Sequence, residues 1–91
     1  MTVYVDAARQ PFRGTFVCHM LADTPEELHR MADVIGLKQR WFQGFDKASC
    51  PHYDINDHAR RLAVLHGAVE GNRRELVAVM RRIKADREAW L

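Results

Sequence analysis

Residues 15–22, Thr-Phe-Val-Cys-His-Met-Leu-Ala, are apolar on both faces of an extended chain. Side chains alternate across a strand, so Phe16, Cys18 and Met20 share one face and Val17, His19 and Leu21 share the other. Neither face suits water. A strand of this kind belongs at the centre of a sheet with structure packed on both sides. The chain has 91 residues, which predicts one domain over residues 1–91 around one modest core. Its hydrophobic content of 47% against a net charge of only +2 argues for a folded chain over a disordered one.

The flanking pattern fills in the rest. Residues 2–7 read as a strand, with Val3 and Val5 on one face and Tyr4 and Asp6 on the other. Residues 9–14 read as a turn-rich connection punctuated by Pro11 and Gly14. Thr24, Pro25 and Glu27 open a helix whose stripe is Leu28, Met31, Ala32 and Ile35, and Gly36 ends it. Residues 40–43, Arg-Trp-Phe-Gln, predict a short strand, and residues 44–54 a long loop. A second helix is expected over 56–66, with Ala59, Leu62 and Ala63 inward and Gly67 as its stop, then a strand at 68–70. Asn72 and Glu75 cap a last helix with Leu76, Val79, Met80, Ile83 and Trp90 on its apolar side. The order β-β-α-β-α-β-α predicts an α/β (α+β) domain: a small mixed sheet of three to four strands with helices packed on it. The first two strands suit a hairpin, and the later ones, each reached through a helix, suit parallel placement.

Chemistry concentrates at Cys50-Pro51-His52-Tyr53-Asp54. His52 and Asp54 are two apart, so in extended chain they point the same way. Asp6 ends the first strand and His19 lies within the second. Strand ends and helix starts converge at one rim of such a sheet. There Asp6, His19, His52 and Asp54 could hold a divalent metal ion, or act as acid and base on water. Each also has a structural explanation: His19 as a core histidine, Asp23 and Asp54 as helix-start carboxylates. Arg60 and Arg61 early in the second helix, with Arg9 and Arg13, suggest a grip on an anion. Arg73, Arg74, Arg81, Arg82, Lys84 and Arg87 on the last helix could follow a phosphate backbone, or simply be a solvated face. Trp90 could close the core or anchor a homodimer. Cys18 and Cys50 are expected as free thiols, because the chain begins with no signal-peptide pattern and lacks the roughly 18 apolar residues of a membrane span.

Val3-Tyr4-Val5-Asp6, Cys18-His19-Met20, Ala22-Asp23-Thr24, Glu27-Leu28-His29, Ile35-Gly36, Arg40-Trp41-Phe42, His52-Tyr53-Asp54, Gly67-Ala68 and Arg74-Glu75-Leu76 follow one another in an order that resembles the bacterial and phage family catalogued as domain of unknown function 4031. Residues 44–49 look like an insertion relative to that pattern. The resemblance implies a bacterial or phage protein of the cytoplasm and implies no particular activity.

The residues alone favour a binding module whose sheet-edge pocket holds a small anionic or nucleotide-like ligand, lined by Asp6, His19, His52, Tyr53, Asp54 and Arg60. A metal-assisted hydrolase built on the same Asp and His residues is the alternative from another class. A regulator that binds nucleic acid or a host protein is the third.

Overall fold

The doubly apolar stretch does become the centre of the sheet. The computed structural model describes residues 2–7, 10–12 and 14–91. Strands β1 (Val3–Asp6), β2 (Gln10–Phe12), β3 (Thr15–Ala22), β4 (Tyr53–Asn56) and β5 (Val69–Gly71) combine with helices α1 (Pro25–Val34), α2 (Asp57–Leu65) and α3 (Arg73–Ala85). β3 pairs antiparallel with β1 through Val5↔Met20 and with β2 through Gln10↔Val17. It also pairs antiparallel with β4 over Val17↔Asn56 to Met20↔Tyr53. Since β4 occupies that whole stretch, β1 and β2 lie along the opposite edge as two parts of one interrupted arm. β5 adds to β1 in parallel. The sheet is therefore mixed, with four strand positions in the order β4, β3, β1 with β2, then β5.

Two expected elements move. Residues 40–43 do not form a sheet strand: Gln39–Trp41 is a 3-10 turn, and only Gln43 pairs, in a single bridge to His52. The strand of this region lies instead at Tyr53–Asn56, inside what reads as loop and helix start. Tyr53 and Ile55 point inward and Asp54 and Asn56 outward, which is regular strand alternation. Four residues, two of them Asp and Asn with low β-propensity, give too short a pattern to stand out. β2 is the other addition, with Pro11 tolerated because the strand is at an edge.

Helix starts follow the capping chemistry. The Thr24 side chain accepts from the Glu27 N–H, and Asn56 accepts from Ala59 N–H at 2.8 Å. Asn72 and Glu75 form a complete capping box. Gly36 and Gly67 take positive φ of 85° and 102° where α1 and α2 turn back.

The core lies on both sides of β3. Leu28 of α1 and Ala59 and Ala63 of α2 pack with Cys18, Met20, Tyr53 and Ile55 on one face. Leu76, Val79 and Ile83 of α3 cover the face that carries Leu21. Trp90 is buried within its own chain as part of the core. Of the neighbouring aromatics, Phe42 packs against the core while Trp41 stays half-exposed under Lys38. Asp23 caps no helix. It accepts from Thr2 N–H, Tyr4 Oη and Arg82, tying α3 to the start of the sheet.

The Tyr53 hydroxyl reaches His29 Nδ1 at 2.9 Å and so joins β4 to α1. Burial holds the His29 imidazole below its ordinary value of 6.5 and pushes the Tyr53 phenol up. The unfolded chain thus takes up the His29 proton first, and stability falls as pH drops below about 6.5 until the folded form also protonates. We expect urea unfolding of His29→Gln to show a shallower loss of stability between pH 7 and 5 than the parent chain. Met20 is fully buried at the sheet's centre, and Met20→Ala should cost about 2–5 kcal/mol. Leu65 is 79% exposed, and Leu65→Ala should stay within about 0.5 kcal/mol in the same measurement.

Candidate metal centre

The register of β3 decides which polar groups meet. Asp6 follows the Val5↔Met20 pair, so it stands beside His19. On the other edge His19 pairs with Asp54, and His52 lies two residues before Asp54. Asp6, His19, Asp54 and His52 thus form one row running across β1, β3 and the entry to β4.

Each group is held from behind. The Asp6 carboxylate is nearly buried; Oδ1 accepts from His19 N–H at 3.1 Å and Oδ2 meets His19 Nδ1 at 2.8 Å. His52 Nδ1 lies 2.8 Å from the Cys50 carbonyl. Gln43 Nε2 donates to Asp54 Oδ2 at 2.7 Å. What remains points inward. His19 Nε2 lies 3.7 Å and His52 Nε2 3.3 Å from the same oxygen, Asp54 Oδ1. The two imidazole rings meet edge to face with centroids 5.0 Å apart.

Tautomers follow from the partners. A carbonyl only accepts, so His52 Nδ1 carries the hydrogen; an ionised Asp6 imposes the same on His19. In the neutral rings both Nε2 atoms are bare lone pairs, and both face a carboxylate oxygen. Like-signed density converging on one point is unfavourable unless a positive species sits among it. That species is a proton on an imidazole or a metal ion.

The donor set fits a metal. One ligand atom from each of His19, His52 and Asp54 lies within 4.8 Å of the others. Bonds of about 2.0–2.1 Å in tetrahedral array place donor atoms about 3.4 Å apart. The observed 3.3 and 3.7 Å contacts already approach this, and the remaining edge, within 4.8 Å, needs about 1.4 Å of closure at most. Asp6, the Cys50 carbonyl and Gln43 are the outer partners that fix ligand orientation in such sites.

Beside the row opens a cleft of about 210 Å³. Asp6, His19 and His52 form its polar end. Leu21, Leu76 and Met80 wall the rest, and Ser49 and Cys50 close the loop side.

Of the residues expected at a site, the structure brings together Asp6, His19, His52 and Asp54. Tyr53 points to the opposite face, where it serves α1. Arg60 is also elsewhere: its Nε donates to the Asp6 carbonyl and its Nη1 pairs with Glu70 at 2.8 Å. Arg9 and Arg13 lie outside the described residues. On α3, Arg82 pairs with Asp23, while Arg73, Arg74 and Arg81 remain exposed; Arg87, expected on the same helix, falls in a 3-10 turn beyond its end and lies over the Phe45 ring. Neither Gln43 nor the Cys50 carbonyl is marked as a partner by residue pattern: Gln43 is placed by its bridge to His52, and the Cys50 carbonyl by the local turn of the chain onto the His52 ring.

Cys18 and Cys50 are free and buried. Burial, with Asp6 adding to it, pushes the Cys18 thiol up to about 11. Burial also raises Cys50, against a smaller pull from Lys84.

A family model described as Protein of unknown function (DUF4031) matches residues 3–83. The chain belongs to that family. No curated protein and no solved structure matches it. Within the DUF4031 match fall all the residues of the row and all the walls of the cleft. No helix among the described residues is long and apolar enough to cross a membrane.

The thiols give a direct check on the packing around the row. Ellman's reagent at pH 8 should leave both cysteines unmodified in the native chain and titrate both in guanidinium. Rapid native modification of Cys50 would show that the cleft wall is not closed as described.

Proposed function

We propose that this domain binds one divalent metal ion through His19 Nε2, His52 Nε2 and Asp54 Oδ1, and uses it for hydrolysis. The observation that carries this is the convergence of two imidazole lone pairs on one carboxylate oxygen, with every opposite ring nitrogen already tied. Three protein ligands leave coordination positions open, as hydrolytic sites require and closed structural sites do not. A bound ion there would polarise a carbonyl or phosphoryl group and bring the pKa of a water to about 7. In the reaction the water oxygen bonds to the electrophilic centre, the bond to the leaving group breaks, and the leaving group takes the proton that water gives up. Asp6 positions His19 and raises its basicity as a ligand.

Direct capture of an anion by the same residues has less support. The row brings two carboxylates to one place, and Arg60 is already engaged by Glu70 and by backbone. An anion would be drawn there only through a metal.

Metal content tests the proposal. After dialysis against zinc and removal of excess, the parent chain should retain one equivalent by mass spectrometry of the metal. His52→Ala, His19→Ala and Asp54→Ala should each lose it. Asp6→Asn should weaken affinity about 10–100-fold. Tyr53→Phe, on the opposite face, should bind as the parent does. Retention of no stoichiometric metal by the folded parent, or undiminished retention by His52→Ala, would refute the site.

A further inference from the structure

We infer that the site takes a small, neutral carbonyl compound, an ester or amide with a short apolar group, and not a phosphorylated or nucleotide-like substrate. This rests on the metal reading of the row and adds to it the chemistry of the cleft.

Charge comes first. A divalent ion at the row would stand against two carboxylates, Asp6 and Asp54, so the loaded site is close to neutral. No Lys or Arg lines the cleft among the described residues. Lys84 is near enough to Cys50 to pull its thiol down slightly, but it is exposed and lies outside the cleft walls. Sites for phosphoryl groups supply several cations or free N–H groups at once. The start of α3, the helix that walls the cleft, cannot serve, because Asn72 and Glu75 already cap it between themselves.

Shape and lining come next. The cleft runs from the two imidazoles to Leu21, Leu76 and Met80. Its volume of about 210 Å³ is below the roughly 300–1,000 Å³ of pockets for drug-sized ligands. A ligand of a few carbons fits, and a base with its sugar does not. Met80 is only partly buried, so its flexible thioether can adjust to the apolar group. A carbonyl at the ion and an alkyl group against Leu21, Leu76 and Met80 use both ends of the cleft together.

Hydroxamates provide the probe, since they chelate zinc through two oxygens and carry an acyl chain of chosen length. The zinc-loaded full chain is titrated calorimetrically with acetohydroxamate, hexanohydroxamate and inorganic phosphate. Each methylene that enters the cleft should tighten binding about fourfold. Hexanohydroxamate should therefore bind at least about tenfold tighter than acetohydroxamate, and phosphate weaker than either. Met80→Trp, which fills the cleft, should erase the gain from chain length and leave zinc content intact, because the ion is held by His19, His52 and Asp54. Met80→Phe is the milder substitution and should reduce the same gain. If zinc loads and the two hydroxamates bind within twofold of one another, or phosphate binds more tightly, this inference fails and the metal site stands. If zinc does not load, the metal reading fails and this inference goes with it.

Discussion

The pairing register of β3 carries both the core and the candidate site. Met20 opposite Val5 and Tyr53 sends the apolar members of three strands to the α1–α2 face. The same register sets His19 between Asp6 and Asp54 on the other face. Strand periodicity is two, so a slip of one residue would bury His19 and expose Met20. The buried set on one face therefore fixes the polar row on the other. Hydrophobic packing, worth kilocalories per side chain, determines the position of groups whose own contacts are far weaker.

Segment 52–55 shows how little chain this takes. Tyr53 and Ile55 are fully buried and join the core, while His52 and Asp54 face each other in the polar row and His52 also lines the cleft. Two backbone features support it: the bridge from Gln43 to His52, and the Cys50 carbonyl turned back onto the His52 ring. Loop 44–51 is thus part of the site, since it supplies both a cleft wall and an orienting acceptor. α3 closes the cleft from above through Leu76 and Met80, and its link through Arg82 to Asp23 holds it over the sheet.

Much of this was legible in the residues. The double-faced apolarity of 15–22 marks a central strand, and the capping residues Thr24, Asn56 and Asn72 mark three helix starts that the structure keeps. The mixed α/β order follows from these. The third strand was not legible where it lies. Residues 40–43 carry aromatic residues of high strand propensity yet form a tight turn, because Phe42 is needed against His29 and Tyr53 rather than in a ladder. Asp6, His19, His52 and Asp54 could be proposed together from strand ends and alternation. Tyr53 and Arg60 could not be separated from them, since neither the face of β4 nor the partner Glu70 is visible without the fold. Gln43 left no signal at all, being placed by one long-range bridge.

The claim at the centre is that His19 and His52 both carry hydrogen on Nδ1 and aim bare Nε2 atoms at a shared cation position. Long-range proton–nitrogen correlation NMR of the imidazoles reads this directly. The account predicts hydrogen on Nδ1 of both rings, and a large shift of both Nε2 resonances to bare, metal-bound nitrogen on addition of one equivalent of zinc, with His29 unmoved. Nε2–H tautomers, or Nε2 resonances that ignore zinc, would contradict it.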